Sequence, residues 1–378
     1  MQRRAFLKGT GCSALLFSLP TIAIERRRTS SKLIWILLRG GLDSLHTIIP
    51  TSEPDLLAYR PQLQKTINGE KLLTLNENFA LNPKLRTLFS LYQDRQLLPI
   101  VATGTAYHGR SHFDGQDFLE SGLAITDSNN GWLSRMLDLQ KTKGLAVARS
   151  LPIVSRGSVR AMTWYPDNGP PADADLLDHL AQLYEPDRLL QQKLVNIVET
   201  KALLSDRAPK KADFNTLVEA CGKLLIAEDG PDFAAMELGG WDTHDRQHER
   251  LDAKLAILDQ GLQSLKIALV DRWRDTTVVI ASEFGRTVRE NGTGGTDHGT
   301  GGAMFIAGGG ISGGRVLGQW PGLKAAQLFE NRDLMPTTNI HSWLATVIQQ
   351  KWQMSDADIR QIFPANPPYS EQLVRIQD

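Results

Sequence analysis

The stretch Val278–Gly310, VVIASEFGRTVRENGTGGTDHGTGGAMFIAGGG, decides how this chain is read. A β-branched apolar run ends at an acid, Glu283. A glycine-rich loop then carries Asp297 and His298, and a second apolar run begins at Ala303. The pattern predicts strand, polar loop, strand. Loops at strand ends in α/β proteins are where ligands and catalytic groups are held. Working outward, LIWILL at 33–38 predicts a strand buried on both faces, ending at Arg39-Gly40-Gly41 with Asp43 and Ser44 beyond. Leu85, Leu88, Leu91 and Tyr92 recur with helical spacing, and LLPIVAT at 97–103 returns to a strand. Strand, helix, strand is the signal of a parallel sheet.

The second strand runs into YHGRSHFDGQDFLESG, residues 107–122, where a helix opens from Phe113. A short helix follows over 129–141. Strand-like pieces lie near 147–154 and helical stretches near 175–204 and 212–228, so about 144–230 is expected to be an insertion or cap. DFAAMEL at 232–238 predicts a strand ending in Gly239-Gly240-Trp241-Asp242-Thr243-His244. Leu251, Leu255, Leu258, Leu262, Leu265 and Leu269 then mark a long helix with one buried face. Thr276–Ser282 is the strand leading into the opening stretch, 337–352 is a C-terminal helix, and the tail around Pro364, Pro367 and Pro368 is irregular.

The chain has 378 residues, enough for one large α/β domain, with Lys+Arg and Asp+Glu both 42. That balance leaves no basic surplus for nucleic acid. The start, MQRRAFLKGTGCSALLFSLPTIA, places Arg3-Arg4, Phe6, Leu7 and Lys8 before an apolar stretch and reads as a twin-arginine export signal over 1–28. Too little apolar sequence precedes Cys12 for a lipoprotein site. The mature protein then carries only Cys221, a buried small residue that forms no intrachain disulfide. No later run of eighteen apolar residues predicts a transmembrane segment. Expected localisation is periplasmic or extracellular, with the twin-arginine translocation machinery as a partner.

Four predicted strands end in polar clusters: Asp43 with Ser44, His108 to Asp114, Asp242 with His244, and Glu283 with Asp297 and His298. On one edge of a parallel sheet these converge, and carboxylates with imidazoles gathered there call for a divalent cation. Asp242 and His244, two apart on an extended chain, face the same way; a turn residue and a core histidine are the plain alternative. The ligand set Asp43, Asp242, His244, Glu283, Asp297 and His298 suits Zn²⁺, Mn²⁺, Mg²⁺ or Ca²⁺ without choosing among them. Ser111, at a helix N-terminus beside Arg110, is the preferred nucleophile, with Ser44 and a water held by the metal as competitors. Ser111 can equally be an N-cap completed by Asp114. Arg286 either binds a phosphate or sulfate or pairs with Glu290. Gly308-Gly309-Gly310-Ile311-Ser312-Gly313 spells a dinucleotide-binding fingerprint, but Gly314 to Gly322 with Pro321 cannot form the required helix.

The twin-arginine start, LLRGGLDSLHTIIP, RSHFDGQDFLESG, LGGWDTH, SEFGRTVRENGTGGTDHG, GGRVLGQWPGL and DLMPTTNIHSWLATV identify the chain as resembling the bacterial domain of unknown function 1501 family. Residues near 155–230 match least. That family is similar to the alkaline phosphatase and sulfatase superfamily, which binds one or two metals at the strand ends of an α/β sheet. The resemblance implies an alkaline-phosphatase-like three-layer sandwich over 29–378, with a mostly parallel central sheet and a partly helical insertion. It places Asp43 at the first metal-binding Asp, Ser111 near the nucleophile, Asp242 and His244 at a metal-binding pair, and His298 at the late histidine ligand. Glu283-Phe284-Gly285 lies where the superfamily has Asp-His-Gly, and Phe284 cannot bind a metal. Whether His112 or His108 reaches the place vacated by Phe284 separates a hydrolase from a single-metal or non-catalytic protein. The expected function is an exported metal-dependent hydrolase of phosphate or sulfate esters, acting on a small-molecule or polysaccharide ester. The alternative is a non-catalytic periplasmic or cell-surface binding or assembly protein that keeps the fold.

Overall fold

The apolar run at 33–38 is the centre of the sheet. In the computed structural model, which describes residues 31–166, 174–188, 190–191, 194–195, 198 and 213–375, it forms the strand β1 (Lys32–Arg39). The remaining strands are β2 (Ile48–Pro50), β3 (Leu73–Thr74), β4 (Phe79–Leu81), β5 (Leu97–Gly104), β6 (Gly144–Val147), β7 (Ala161–Trp164), β8 (Phe233–Gly239), β9 (Thr276–Ala281), β10 (Gly302–Ala307) and β11 (Thr338–Asn339). Eight of them make one sheet in the order β11-β5-β10-β9-β1-β8-β6-β7, and β2-β4-β3 form a small antiparallel sheet. The expected twin-arginine segment, residues 1–28, lies outside the described residues.

Side chains on a strand alternate between faces, and β1 shows why its sequence is continuously apolar. Ile34, Ile36 and Leu38 enter one core with Leu251, Leu255, Leu258 and Leu262 of the helix Gln247–Leu269. Leu33, Trp35 and Leu37 enter a second core on the other face, with residues from the helices Trp132–Gln140 and Ile340–Trp352. Trp35 meets Trp132 edge to face with centroids 5.6 Å apart, a contact worth about 1 kcal/mol beyond its burial. The architecture is therefore helix, sheet, helix. The leucine stripe of the long helix is wholly buried, as its spacing predicts.

One strand runs against the others. β10 is antiparallel to both β9 and β5, while β1, β8, β9, β6 and β7 pair in parallel. Its first residue therefore lies at the edge where β9 ends, and the excursion 282–301 stays at that edge. The exits of β1, β5 and β8 open there as well. This is what brings the predicted polar clusters together.

Two regions gain detail. Within the segment at about 144–230, β6 and β7 extend the main sheet beyond β8, and the helix Phe214–Ile226 packs its buried face into the first core. The C-terminal region also gains a helix, Asp356–Ile362, whose Ser355 hydroxyl and Asp358 carboxylate form a reciprocal cap. Residues 308–322 form no helix, in keeping with rejection of the dinucleotide motif. Cys221 is fully buried, and burial pushes its thiol up to about 12. No helix among the described residues is long and apolar enough to cross a membrane.

Candidate metal centre

Asp242 leaves β8 through Gly239-Gly240-Trp241. The Trp241 indole is buried and donates 2.7 Å to the Leu238 carbonyl, which pins the turn. Opposite, the loop after β9 folds back on itself: Gly299 donates to the Gly285 carbonyl at 2.9 Å and Thr287 to the Asp297 carbonyl at 2.9 Å. Thr296 donates to the Thr243 carbonyl at 3.1 Å, joining loop and turn. The contact is so close that a Cβ on Gly295 would lie 2.2 Å from the His244 carbonyl carbon. Only glycine fits there.

This scaffold gathers three imidazoles around one carboxylate oxygen. Asp242 Oδ1 lies 2.9 Å from His244 Nε2, 3.2 Å from His298 Nε2 and 3.5 Å from His112 Nε2. His244 Nε2 is 3.0 Å from His298 Nε2. Each ring is tethered through its other nitrogen: His112 Nδ1 to Glu283 Oε1 at 2.7 Å, His298 Nδ1 to the Arg110 carbonyl at 2.8 Å, and His244 Nδ1 to Asp297 Oδ1 at 3.2 Å. An oxygen acceptor on Nδ1 fixes the tautomer that leaves Nε2 as a lone-pair donor, the usual outer support of a metal-ligating histidine. His112 Nε2 is buried and makes no hydrogen bond. An orphaned imidazole nitrogen aimed at a carboxylate and two other imidazoles fits a cation of the zinc class. His112, Asp242 and His298 each offer an atom within 4.8 Å of the others, as metal ligands must.

The charges agree with this arrangement. Burial pushes the Asp242 carboxyl up, but the Arg286 hydrogen bond and charge, with His244 and His112, hold it at about 2. The hydrogen bond that the His112 ring makes to Glu283 raises its titration against the effect of burial, so a cation binding there displaces a proton. Burial lowers His298, and the neighbouring His112 and Arg286 charges act the same way, which keeps that ring neutral and able to ligate. Phe284 forms the floor: His112 stacks on it with centroids 4.8 Å apart and His298 lies 5.3 Å away. His112 reaches the cluster beside Phe284 from the helix His112–Ser121. His108 instead packs against Phe329.

The other sequence-derived candidates are distributed around the centre. Glu283 is fully buried and accepts from the Gly40 amide, His112, Gln116 and Ser282; it supports His112 and does not itself face the cluster. Asp297 likewise supports His244 and receives the Asn291 amide. Asp43 stands apart: its carboxylate is taken up by Arg60 and Gln247 and by the amides of Leu45 and His46, whose short helix it caps. Arg286 is buried, donating 2.7 Å to Asp242 Oδ1 and 2.5 Å to the Thr296 carbonyl; Glu290 instead accepts from the Gln62 amide. The Arg110 guanidinium pairs with Asp333 at 2.8 Å and Glu330 at 2.5 Å, while its carbonyl serves His298. Ser111 caps the helix that begins at His112, accepting from the Asp114 amide at 3.5 Å. His112 was absent from the ligand set read from sequence. The signal was its place in the first turn of that helix, one residue beyond the predicted nucleophile.

These features define an α/β protein whose strand-end edge carries a cluster of three histidines and one aspartate. A sequence profile described as "Protein of unknown function (DUF1501)" matches residues 120–363, and the chain belongs to that family. No curated protein matches the sequence. Among solved structures, the chain is similar to a protein in the alkaline phosphatase superfamily from Vibrio parahaemolyticus, with 11% identity over 85% of this chain and 66% of that one and a TM-score of 0.43. It is also similar to the C-terminal periplasmic domain of EcEptC from Escherichia coli in complex with zinc, with 10% identity over 74% and 72% and a TM-score of 0.39. Alkaline phosphatase from the Antarctic bacterium TAB5 shares 11% identity over 75% and 93%, with a TM-score of 0.38.

Proposed function

We propose that this protein is an exported, metal-dependent hydrolase of phosphate or sulfate esters. One observation carries the reading: three imidazoles, each tethered at Nδ1, turn their Nε2 atoms toward Asp242 Oδ1. In this reading His112, His244, His298 and Asp242 hold the ion, with Zn²⁺ favoured by the imidazole-rich set over Mn²⁺, Mg²⁺ or Ca²⁺. When bound, a divalent cation supplies Lewis acidity to an ester oxygen. Around a bound divalent cation, one carboxylate and three imidazoles that are neutral once they ligate would leave the centre net positive, which attracts an anionic ester. Asp242 and His244 have side chains 42% and 43% exposed, so the centre is open to a substrate from solvent. Arg286 holds the Asp242 carboxylate in place. Ser111 is the nucleophile of this reading: its hydroxyl is lightly held and sits at a helix N-terminus, where free N–H groups favour the anionic form.

A second reading, a periplasmic or cell-surface binding or assembly protein that keeps the metal, is favoured by the fate of the two candidate arginines. Arg110 and Arg286 are both committed to internal carboxylates. Metal analysis of the purified mature protein, followed by assay of aryl phosphates, phosphodiesters and aryl sulfates with each metal supplement, separates the readings. The hydrolase reading expects bound metal and turnover, both lost in Asp242→Ala. Bound metal without turnover supports the second reading, and neither metal nor turnover overturns the first.

A further inference from the structure

A second group of ligand-type side chains meets where the segment after β1 packs on the first turns of the long helix. His46 belongs to the short helix Ser44–Thr47 and is 3% exposed. His248 and Asp252 lie four residues apart on Gln247–Leu269 and so share one face of it. One ligand atom from each of the three lies within 4.8 Å of the other two, with His46 Nε2 and Asp252 Oδ1 3.1 Å apart. The two rings are 5.8 Å apart between centroids. Outer partners hold the group: the Asn82 amide donates to Asp252 Oδ1 at 3.0 Å, and the Thr66 hydroxyl lies 3.1 Å from His248 Nδ1.

We infer that His46, His248 and Asp252 form a second site for a borderline divalent cation of the Zn²⁺ class. Two imidazoles and a carboxylate favour zinc, nickel or copper over magnesium or calcium, and the 3.1 Å between His46 Nε2 and Asp252 Oδ1 is close to the separation of about 3.3 Å between neighbouring ligands of a tetrahedral zinc. An ion pair joins His46 to Asp252 and the Thr66 hydroxyl steadies the His248 ring, yet these two contacts do not link His248 to the other two, although its ligand atom lies within 4.8 Å of theirs. A cation accounts for all three. The site is separate from the Asp242 centre: Gln247 bonds Asp43 on one side and Thr243 and Thr296 on the other, and Thr296 in turn accepts from Arg286. Its ligands come from two segments far apart in sequence, and Thr66 and Asn82 add two more. A cation there ties the small β2-β4-β3 layer to the helix behind it, a structural role.

The test uses the full mature chain carrying Asp242→Ala and His298→Ala, which removes the first centre, and it reads metal rather than hydrolysis. After chelation and dialysis against Zn²⁺, this protein is expected to retain about one zinc per chain by elemental analysis, with its melting temperature raised by the metal. Adding His248→Gln, or Asp252→Asn, which keeps the shape and an oxygen for Asn82, is expected to weaken zinc binding at least tenfold and abolish the thermal shift. Circular dichroism without metal checks that each variant folds; if one substitution unfolds the chain, the other carries the comparison. A double variant that holds no zinc overturns the site, as does zinc binding that both added substitutions leave unchanged, which is adventitious surface binding only.

Discussion

Asp43 and Asp242 stand at the ends of two copies of one local pattern, Gly-Gly-Leu-Asp just beyond β1 and Gly-Gly-Trp-Asp beginning at the last residue of β8. The two strands pair in parallel to their last residues, Arg39 opposite Gly239, so both aspartates leave the sheet at the same edge. They end in opposite surroundings. Asp43 is 1% exposed, and although burial pushes its carboxyl up, the Arg60 charge and hydrogen bonds bring it below the ordinary range. Asp242 has a side chain 42% exposed and faces three imidazoles. The pattern presents an acid at the strand-end edge; what lies across from it makes one a brace and the other a candidate ligand. Gln247, Thr296 and Arg286 join the two by a continuous hydrogen-bond chain, so the brace steadies the arginine that orients the ligand.

The sharpest way to break this comparison is to exchange the fates of the two acids. Asp242→Ala is expected to lower metal affinity by more than about a hundredfold, beyond the effect of losing an outer partner, while Asp43→Asn keeps the metal. Equal metal loss in both, by elemental analysis, would return Asp43 to the ligand set. Arg60→Ala strands a buried carboxylate and is expected to cost about 3–5 kcal/mol in urea unfolding with metal content unchanged. Glu120 extends the contrast to a third buried acid. Burial, outweighing the amides of Val154 and Ile153, pushes its carboxyl up to about 7 from an ordinary 4.5. The folded state then binds the extra proton between those values, so this contribution is complete below pH 4.5 and is lost as pH rises through 7, on the order of 3 kcal/mol. Glu120→Gln should flatten that fall; unfolding curves with the same pH slope as the parent would refute it.

Smaller effects sharpen the picture. Glu283→Gln weakens the acceptor behind His112 and is expected to lower metal affinity about 10- to 100-fold, measured by competition with a chelator. Ser111→Ala removes a cap worth about 1 kcal/mol. As nucleophile its loss would also abolish turnover, whereas unaltered turnover with reduced stability would leave Ser111 as a cap alone.

Much of this was legible in particular residues. LIWILL read as a doubly buried strand because both of its faces are apolar, and the leucine stripe read as a buried helix face because its period matches the helix. Asp242, His244 and His298 were legible as ligand candidates because they follow apolar runs and sit among glycines. Edge strands β6 and β7 were not, since short strands with mixed flanks resemble any extended segment. Glu283 was read as a ligand and His112 stayed outside the ligand set, because the acid follows a strand directly while the histidine opens a helix; only the observed 2.7 Å contact shows Glu283 standing behind the His112 ring.

By itself, the sequence determined the order of strands and helices, the edge at which polar residues collect and the residue types able to ligate, because periodicity and strand-end position are local properties. Only the tertiary structure decided which acid meets a cation of the protein and which meets imidazoles. Arg60 reaches Asp43 from seventeen residues away and His112 reaches Glu283 across 171, and such pairings follow from strand order and loop packing. The antiparallel course of β10 is the physical reason His298 arrives beside Asp242.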